Sequence, residues 1–380
     1  MIQALSLRNL KCFETLRLDL TPLTLLTGFN AAGKSTSLQT LLLLSQTLRG
    51  QHRASELRLN GPLVNLGSPG DVVTGGNRLA LGIATSDVEL VWHFAPEENR
   101  RSLQVVRLDI ISETSSSSIE ASDLAGIRPI ESNPFVHSAL SLLDRLVFLS
   151  AARQVETDVF PIPSDVGAAV GDVGSIGQFA AWWLHQEGDS EVAPGRRCKT
   201  AADSSSLRHQ VNAWATYLFS HAEINAVPLP RTMLMLLELR SDITSDWSRP
   251  ANIGYGISYA FPILVAGLCA NRGQPVIVDS PEAHLHPRAQ SRMGSFLAQM
   301  ANAGSHILVE THSDHVLNGM RIALRDGVID PERVTIYFFT GQREAQVVHL
   351  SADKNGNVSN WPEGCFDQSE SDLANLAGWA

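Results

Sequence analysis

The chain opens on alternating apolar and polar positions, with Ile2, Leu5 and Leu7 and then Leu16, Leu18 and Leu20 on the apolar beat. A period of two predicts a hairpin with one buried face. The run Leu23-Thr24-Leu25-Leu26-Thr27 reads as a further strand, and glycines then give way to an apolar-rich helix from about Lys34 to Leu48. Residues 57–112 read as several short strands broken by Gly61-Pro62, Ser68-Pro69-Gly70 and Gly75-Gly76-Asn77. The serine-rich patch at 115–118 reads as a surface loop. From about 130 to 220 the pattern turns helical and irregular. Segments 178–186 and 207–221 are its clearest helices, with a Gly/Asp/Ser-rich mobile loop expected between them. Strands return near 224–240. A helix at 256–271, the strand 275–279, a helix at 288–302 and the strand Ile307-Leu308-Val309-Glu310 then alternate, which predicts a parallel sheet with covering helices. Strands at 333–340 and 344–350 and a short helix near 369–377 close the chain. Strands at both ends around a helical insert imply one discontinuous head.

Composition narrows the classes. At 380 residues, 44% apolar and 18% charged, the chain is an ordinary globular sequence able to bury a large core. Its apolar stretches are too short or interrupted to span a bilayer, and its start lacks a signal-peptide layout, so a cytoplasmic protein without a membrane partner is expected. Cys12, Cys198, Cys269 and Cys365 show no metal-type spacing and suit a reducing compartment. The net charge of −10 does not point to nucleic acid. A local basic groove built from Arg49, Arg53 and Arg58, or from Arg196, Arg197 and Lys199, is the remaining route to it. Lysine is scarce: only Lys11, Lys34, Lys199 and Lys354 occur, which makes a lysine inside a motif more telling.

Four stretches carry chemistry. Gly28-Phe29-Asn30-Ala31-Ala32-Gly33-Lys34-Ser35 fits G-x-x-x-x-G-K-[ST] between a predicted strand and a helix. Its glycines turn backbone N–H groups toward phosphate, Lys34 would reach the β and γ phosphates, and the Ser35 hydroxyl would ligate magnesium. In Asp279-Ser280-Pro281-Glu282-Ala283-His284-Leu285-His286-Pro287, Asp279 ends an apolar strand where a P-loop ATPase holds its magnesium. Ser280 stands where most such proteins keep the glutamate that activates water. Glu282 is the nearest spare carboxylate, and it could either serve that water or cap the helix after Pro287. His312 follows the strand Ile307-Leu308-Val309-Glu310 and could sense a γ-phosphate. Asn252-Ile253-Gly254-Tyr255-Gly256-Ile257-Ser258 opens a helix with two glycines and a hydroxyl, a second anion-facing start.

In this order the four stretches resemble ABC-class ATPase heads, and in particular the branch of OLD ATPases, RecF-like proteins and related bacterial defence ATPases. Leu7-Arg8-Asn9-Leu10-Lys11-Cys12-Phe13 is similar to the opening of that branch, and Glu282 to Pro287 and Glu310-Thr311-His312-Ser313 resemble its later elements. The stretch Gly356-Asn357-Val358-Ser359-Asn360-Trp361-Pro362-Glu363-Gly364 and onward to Gln368 resembles the tail of an AAA-type group labelled as a domain of unknown function. The resemblance implies an α/β P-loop NTPase of ABC-ATPase type, with a mixed sheet, an antiparallel β subdomain and a helical lobe. Its expected divisions are 1–130 (P-loop and β subdomain), 131–250 (helical lobe and connecting strands), 251–340 (signature helix, magnesium strand and switch histidine) and 341–380 (tail).

By position, the resemblance implies that Gly28, Asn30, Gly33, Lys34, Ser35 and Thr36 bind nucleotide, joined across a homodimer by Gly254, Gly256 and Ser258. Ser35 and Asp279 would hold Mg²⁺, and Asp279, Glu282 and His312 would be catalytic. Leu285 and His286 would cross the dimer, and Gln154 would link metal to the helical lobe. ATP and Mg²⁺ are the implied ligands. Ser280, the missing Leu-Ser-Gly-Gly-Gln wording and the lack of a coiled coil or Toprim-like nuclease segment depart from the pattern. The expected function is an ATPase, slow if Ser280 matters, that dimerises around ATP and regulates a separate effector such as a nuclease or toxin, plausibly against phage. The alternative is a RecF/SMC-like DNA-binding ATPase in repair. A transporter subunit fits poorly, and a scaffold that only binds ATP is the remaining class.

Overall fold

The computed structural model describes the chain except for residues 51–54, 77, 98–101, 132, 154–156, 165–168, 202–203, 241–243, 342–346, 363 and 378–380. Gln154, Arg53, Asn77 and Glu363, all singled out above, lie outside the described residues.

Seven strands form the central sheet in the order Val147–Leu149, Pro275–Asp279, His306–Glu310, Leu23–Gly28, Val334–Phe339, Val347–Ala352 and Val358–Ser359. The first five pair in parallel, and each of the last two pairs antiparallel with the strand before it. Parallel strands are covered on both faces, and so read as continuous apolar runs. Here successive side chains divide between two cores. Leu23, Leu25, Val276, Val278, Ile307 and Val309 face one of them. Leu26, Ile277 and Leu308 face the other. The first core is closed by the helices Leu207–Phe219, Tyr255–Cys269 and Pro287–Asn302. The second is closed by the P-loop helix Lys34–Leu48 and a six-stranded antiparallel sheet.

That antiparallel sheet runs Phe13–Asp19, Ala4–Leu10, Leu79–Ala84, Glu89–Pro96, Leu103–Ile111, Ser116–Glu120. The opening hairpin is therefore as expected, but the serine patch is not a loop. Ser116–Glu120 is an edge strand paired to Leu103–Ile111, and Ser118 Oγ donates to Asp109 Oδ1 at 2.7 Å. It is largely exposed, so its pairing rests on backbone bonds that leave no apolar trace in the sequence.

The stretch 187–206 also departs from expectation. Val192, Cys198 and Arg196 in it are buried. The Arg196 guanidinium donates to the carbonyls of Leu268 and Ala270 and, at 2.9 Å, to Ser305 Oγ. Its Gly/Asp/Ser composition hides an arginine anchor. Arg49 likewise pairs with Asp172 at 3.1 Å, and Arg197 with Glu191 at 2.5 Å. These arginines, considered above as a basic groove, are engaged within the chain.

The helices Pro287–Asn302 and Asp314–Arg325 cross backbone to backbone. A Cβ at Gly319 would lie 1.8 Å from the Ser291 carbonyl oxygen, and one at Gly294 would lie 2.1 Å from that of Val316. The end of the chain returns to the P-loop: Arg321 Nε donates to the Gly356 carbonyl at 2.7 Å, Cys365 is buried, and Gly364 lies against the Phe29 ring. Among the described residues no helix is long and apolar enough to cross a membrane.

Candidate functional site

The site forms at the carboxyl ends of the parallel strands, where open α/β sheets place ligands. Gly28 and Gly33 take φ of 126° and 104°, a region L side chains rarely enter. Space forbids a side chain as well: a Cβ at Gly28 would lie 2.2 Å from the Phe339 carbonyl oxygen, and one at Gly33 2.4 Å from the Phe13 ring. Between them the loop turns the first amides of the helix Lys34–Leu48, which have no intrahelical acceptor, toward a cleft of about 500 Å³. Asn30, Gly33, Lys34, Ser35, Thr36, Glu310 and His312 line it, together with Lys11 and Cys12 from the turn of the first hairpin. Lys34 is 3% exposed, and its ammonium donates to the carbonyls of Gly28 at 3.0 Å and Phe29 at 2.7 Å. Burial holds it below the ordinary lysine range.

Asp279 and Glu310 end neighbouring parallel strands in register, so two carboxylates stand side by side. Ser35 Oγ donates to Glu310 Oε1 at 2.7 Å, and Ser280 Oγ donates to Asp279 Oδ1 at 2.9 Å. Burial, and after it the Asp279 carboxylate, pushes the Glu310 carboxyl up to about 7. Glu310 was not singled out as a site residue from the sequence. The available signal was that both apolar strands of five residues end in an acid. Ser280 sits at φ 50° and donates its backbone N–H to the Glu310 carbonyl at 2.8 Å, which fixes the two strand ends together.

Glu282 does not cap the helix after Pro287. That cap is His286, whose Nδ1 accepts from the Arg288 N–H at 3.3 Å. Glu282 instead takes the Thr311 hydroxyl at 2.6 Å on Oε2 and the His312 N–H at 2.9 Å on Oε1, so both its oxygens hold the segment that carries His312. The His312 side chain lines the cleft. Partial burial of the ring, then the Lys34 ammonium, hold its imidazole below the ordinary value and keep it neutral near pH 7.

Arg153, also missed from the sequence, is 4% exposed and holds the end of the strand Pro275–Asp279. It donates to the carbonyls of Ser150 at 3.0 Å, Asp279 at 2.9 Å and Ser280 at 2.5 Å. Burial lowers its guanidinium to about 10, against the opposing pull of Asp279. The guanidinium also lies 5.3 Å from the ring centroid of Tyr259 on the helix Tyr255–Cys269, and that ring stacks on His284 at 4.4 Å.

The start of that helix is placed apart from the cleft lining. Gly254 has φ 101°, and a Cβ there would meet nothing within 4 Å. Gly256 instead faces inward, where a Cβ would come within 3.1 Å of the His284 carbonyl oxygen. Ser258 is buried, and its hydroxyl has no hydrogen-bond partner among the described residues. Leu285 packs in the core of its own chain, whereas His286 is exposed. The structure thus brings Asn30, Lys34, Ser35, Asp279, Glu282 and His312 together and leaves the second glycine-rich start on another surface.

Comparison with known proteins bears on this arrangement. Residues 216–318, which hold the second glycine-rich helix, Asp279 and His312, match the family described as "AAA domain, putative AbiEii toxin, Type IV TA system". Residues 329–376 match a family described as "Protein of unknown function (DUF3696)". No curated protein matches the chain. Among solved structures, the SMC head bound to the C-winged helix domain of ScpA is similar with a TM-score of 0.53 and 13% identity, over 93% of this chain and 98% of that one. An SMC head with an extended coiled coil, bound to the C-terminal domain of ScpA derived from Pyrococcus furiosus, gives 0.53 and 13%, over 99% of each chain. The fold is that of an ABC-type P-loop ATPase head, mixed α/β with an antiparallel sheet and helices.

Proposed function

We propose that this chain binds and hydrolyses ATP, closes with a second copy around it, and so reports its nucleotide state to a separate effector protein. The observation that carries this reading is the convergence of Lys34, Ser35, Glu310 and His312 on one cleft, with Asp279 in register beside Glu310. Lys34 would exchange the carbonyls of Gly28 and Phe29 for the β and γ phosphates. A hydroxyl and carboxylates are the hard oxygen donors that suit Mg²⁺, so Ser35 and Asp279 fit it. When bound, that ion neutralises phosphate charge. His312, held by Glu282, would donate to the γ-phosphate oxygen. In a second copy, Gly254 and Tyr255 present an open helix start to the same phosphates.

With Ser280 turned onto Asp279, no acid follows the magnesium carboxylate, which favours a slow switch over a motor. A DNA clamp needs a basic groove, and Arg49, Arg196 and Arg197 are engaged internally. The two similar structures named above are complexes with ScpA, which supports a protein partner here too. The effector as a nuclease or toxin in phage defence rests on the sequence resemblance. Light scattering with ATP and Mg²⁺ should show a dimer for the parent and a monomer for Lys34→Ala, with turnover on the order of 1 s⁻¹ or below. An ATP-indifferent monomer overturns the reading; brisk unassisted turnover overturns the switch.

A further inference from the structure

Three carboxylates lie near the P-loop, and the structure separates their circumstances. Both oxygens of Glu282 are committed to Thr311 and His312. Asp279 takes the Ser280 hydroxyl on Oδ1 and, at 3.4 Å, the Ala151 N–H on Oδ2. Glu310 is 5% exposed, lines the cleft, and takes the Ser35 hydroxyl on Oε1. Lys34, which shares the cleft lining with Lys11, is hydrogen-bonded to two loop carbonyls. Two adjacent carboxylates, Glu310 buried and Asp279 half-buried, therefore face a P-loop hydroxyl with no cationic side chain bonded to either carboxylate among the described residues, a costly arrangement unless a cation arrives between them.

We propose that Glu310 is an additional acidic anchor of the divalent-cation site, acting with Ser35 and Asp279, so that the metal binds to this chain even before nucleotide. The proposal deepens the nucleotide-site reading and rests on it for what the metal then serves. The chemistry is that of a hard divalent ion taking hydroxyl and carboxylate oxygens, with the remaining positions filled by water or, later, phosphate. Glu310 is thereby a metal-anchoring group and not the base that activates water.

The test titrates Mn²⁺ into nucleotide-free protein, followed by the electron paramagnetic resonance of the free ion. A fluorescent ATP analogue is titrated in parallel in excess chelator. The parent should bind one Mn²⁺ per chain at this site. Glu310→Gln, which keeps size and can still accept from Ser35, should weaken it at least tenfold, while Glu332→Gln on the surface should not. Glu310→Gln should also lose the parent's rise in melting temperature with Mn²⁺. If Glu310→Gln misfolds, Glu310→Asp serves instead, and its weaker Mn²⁺ binding is the expected result. Mn²⁺ binding unchanged in a folded variant, or no Mn²⁺ bound by the parent, overturns the proposal. Failure of the analogue to bind the parent, or its indifference to Lys34→Ala, overturns the nucleotide reading instead, whatever the Mn²⁺ result.

Discussion

Two helices in this chain begin at glycines, and they are unequal. The helix Lys34–Leu48 starts inside a crowded pocket: Gly33 has an aromatic ring where a side chain would be, Lys34 is buried, and Ser35 already holds a carboxylate. The helix Tyr255–Cys269 starts in the open, with free space at Gly254, an exposed Tyr255 and its serine turned into the core. The first is a furnished cleft. The second is a helix end that offers only backbone and dipole, and needs another surface to become a site. Glycine at a helix start therefore has two physical meanings here, close approach in one case and unobstructed exposure in the other.

The comparison can be broken most directly at its furnished end. Lys34→Ala should lower ATP turnover by about two orders of magnitude or more, the scale on which removing one preorganised donor acts, as read in a phosphate-release assay with the fold checked by circular dichroism. The open end should behave differently. Tyr255→Glu places an anion at the exposed helix start, and should leave nucleotide affinity of the dilute monomer within twofold while abolishing ATP-induced dimerisation. Equal loss of monomer affinity would show that the two starts serve one pocket.

Arg153 joins the two regions, since it holds the carbonyls of Asp279 and Ser280 and lies against Tyr259 of the second helix. Arg153→Met strands those buried carbonyls and should cost about 3 kcal/mol in a urea titration. Tyr259→Leu, which keeps the carbonyl bonds, should cost about 1 kcal/mol. The smallest expected effect is on His312. Its pKa is lowered by partial burial and by Lys34, so the neutral ring persists to lower pH than an ordinary histidine, and any acid limb it contributes to turnover lies lower than an ordinary histidine's. In Lys34→Met the ring should titrate closer to its ordinary value, measurable by NMR.

Much of this was legible because periodic patterns and local motifs record what neighbouring residues do. The strand–glycine–helix of the P-loop, the strand ending on Asp279 and the strand leading to His312 are each set by contiguous sequence. What escaped depends on contacts between distant segments. Glu310 looks like the last letter of an apolar strand until register sets it beside Asp279. Arg153 sits in a short stretch after Val147–Leu149 that carries no motif, and its partners are carbonyls that any sequence could supply. Ser258 has the type that suits an anion ligand, and the fold buries its hydroxyl within its own chain, which sequence alone does not show. The exposed edge strand Ser116–Glu120 left no apolar signature to read.

The position of the strand Leu23–Gly28 has a consequence for how the molecule is made. Both its sheet neighbours come from the far end of the chain, His306–Glu310 on one side and Val334–Phe339 on the other. On a ribosome the P-loop must wait for roughly three hundred further residues before either neighbour exists. Such distant pairing is slow to close and leaves strand edges uncovered meanwhile. A nascent chain that has not yet reached Phe339 therefore cannot assemble the P-loop cleft with both its flanking strands in place.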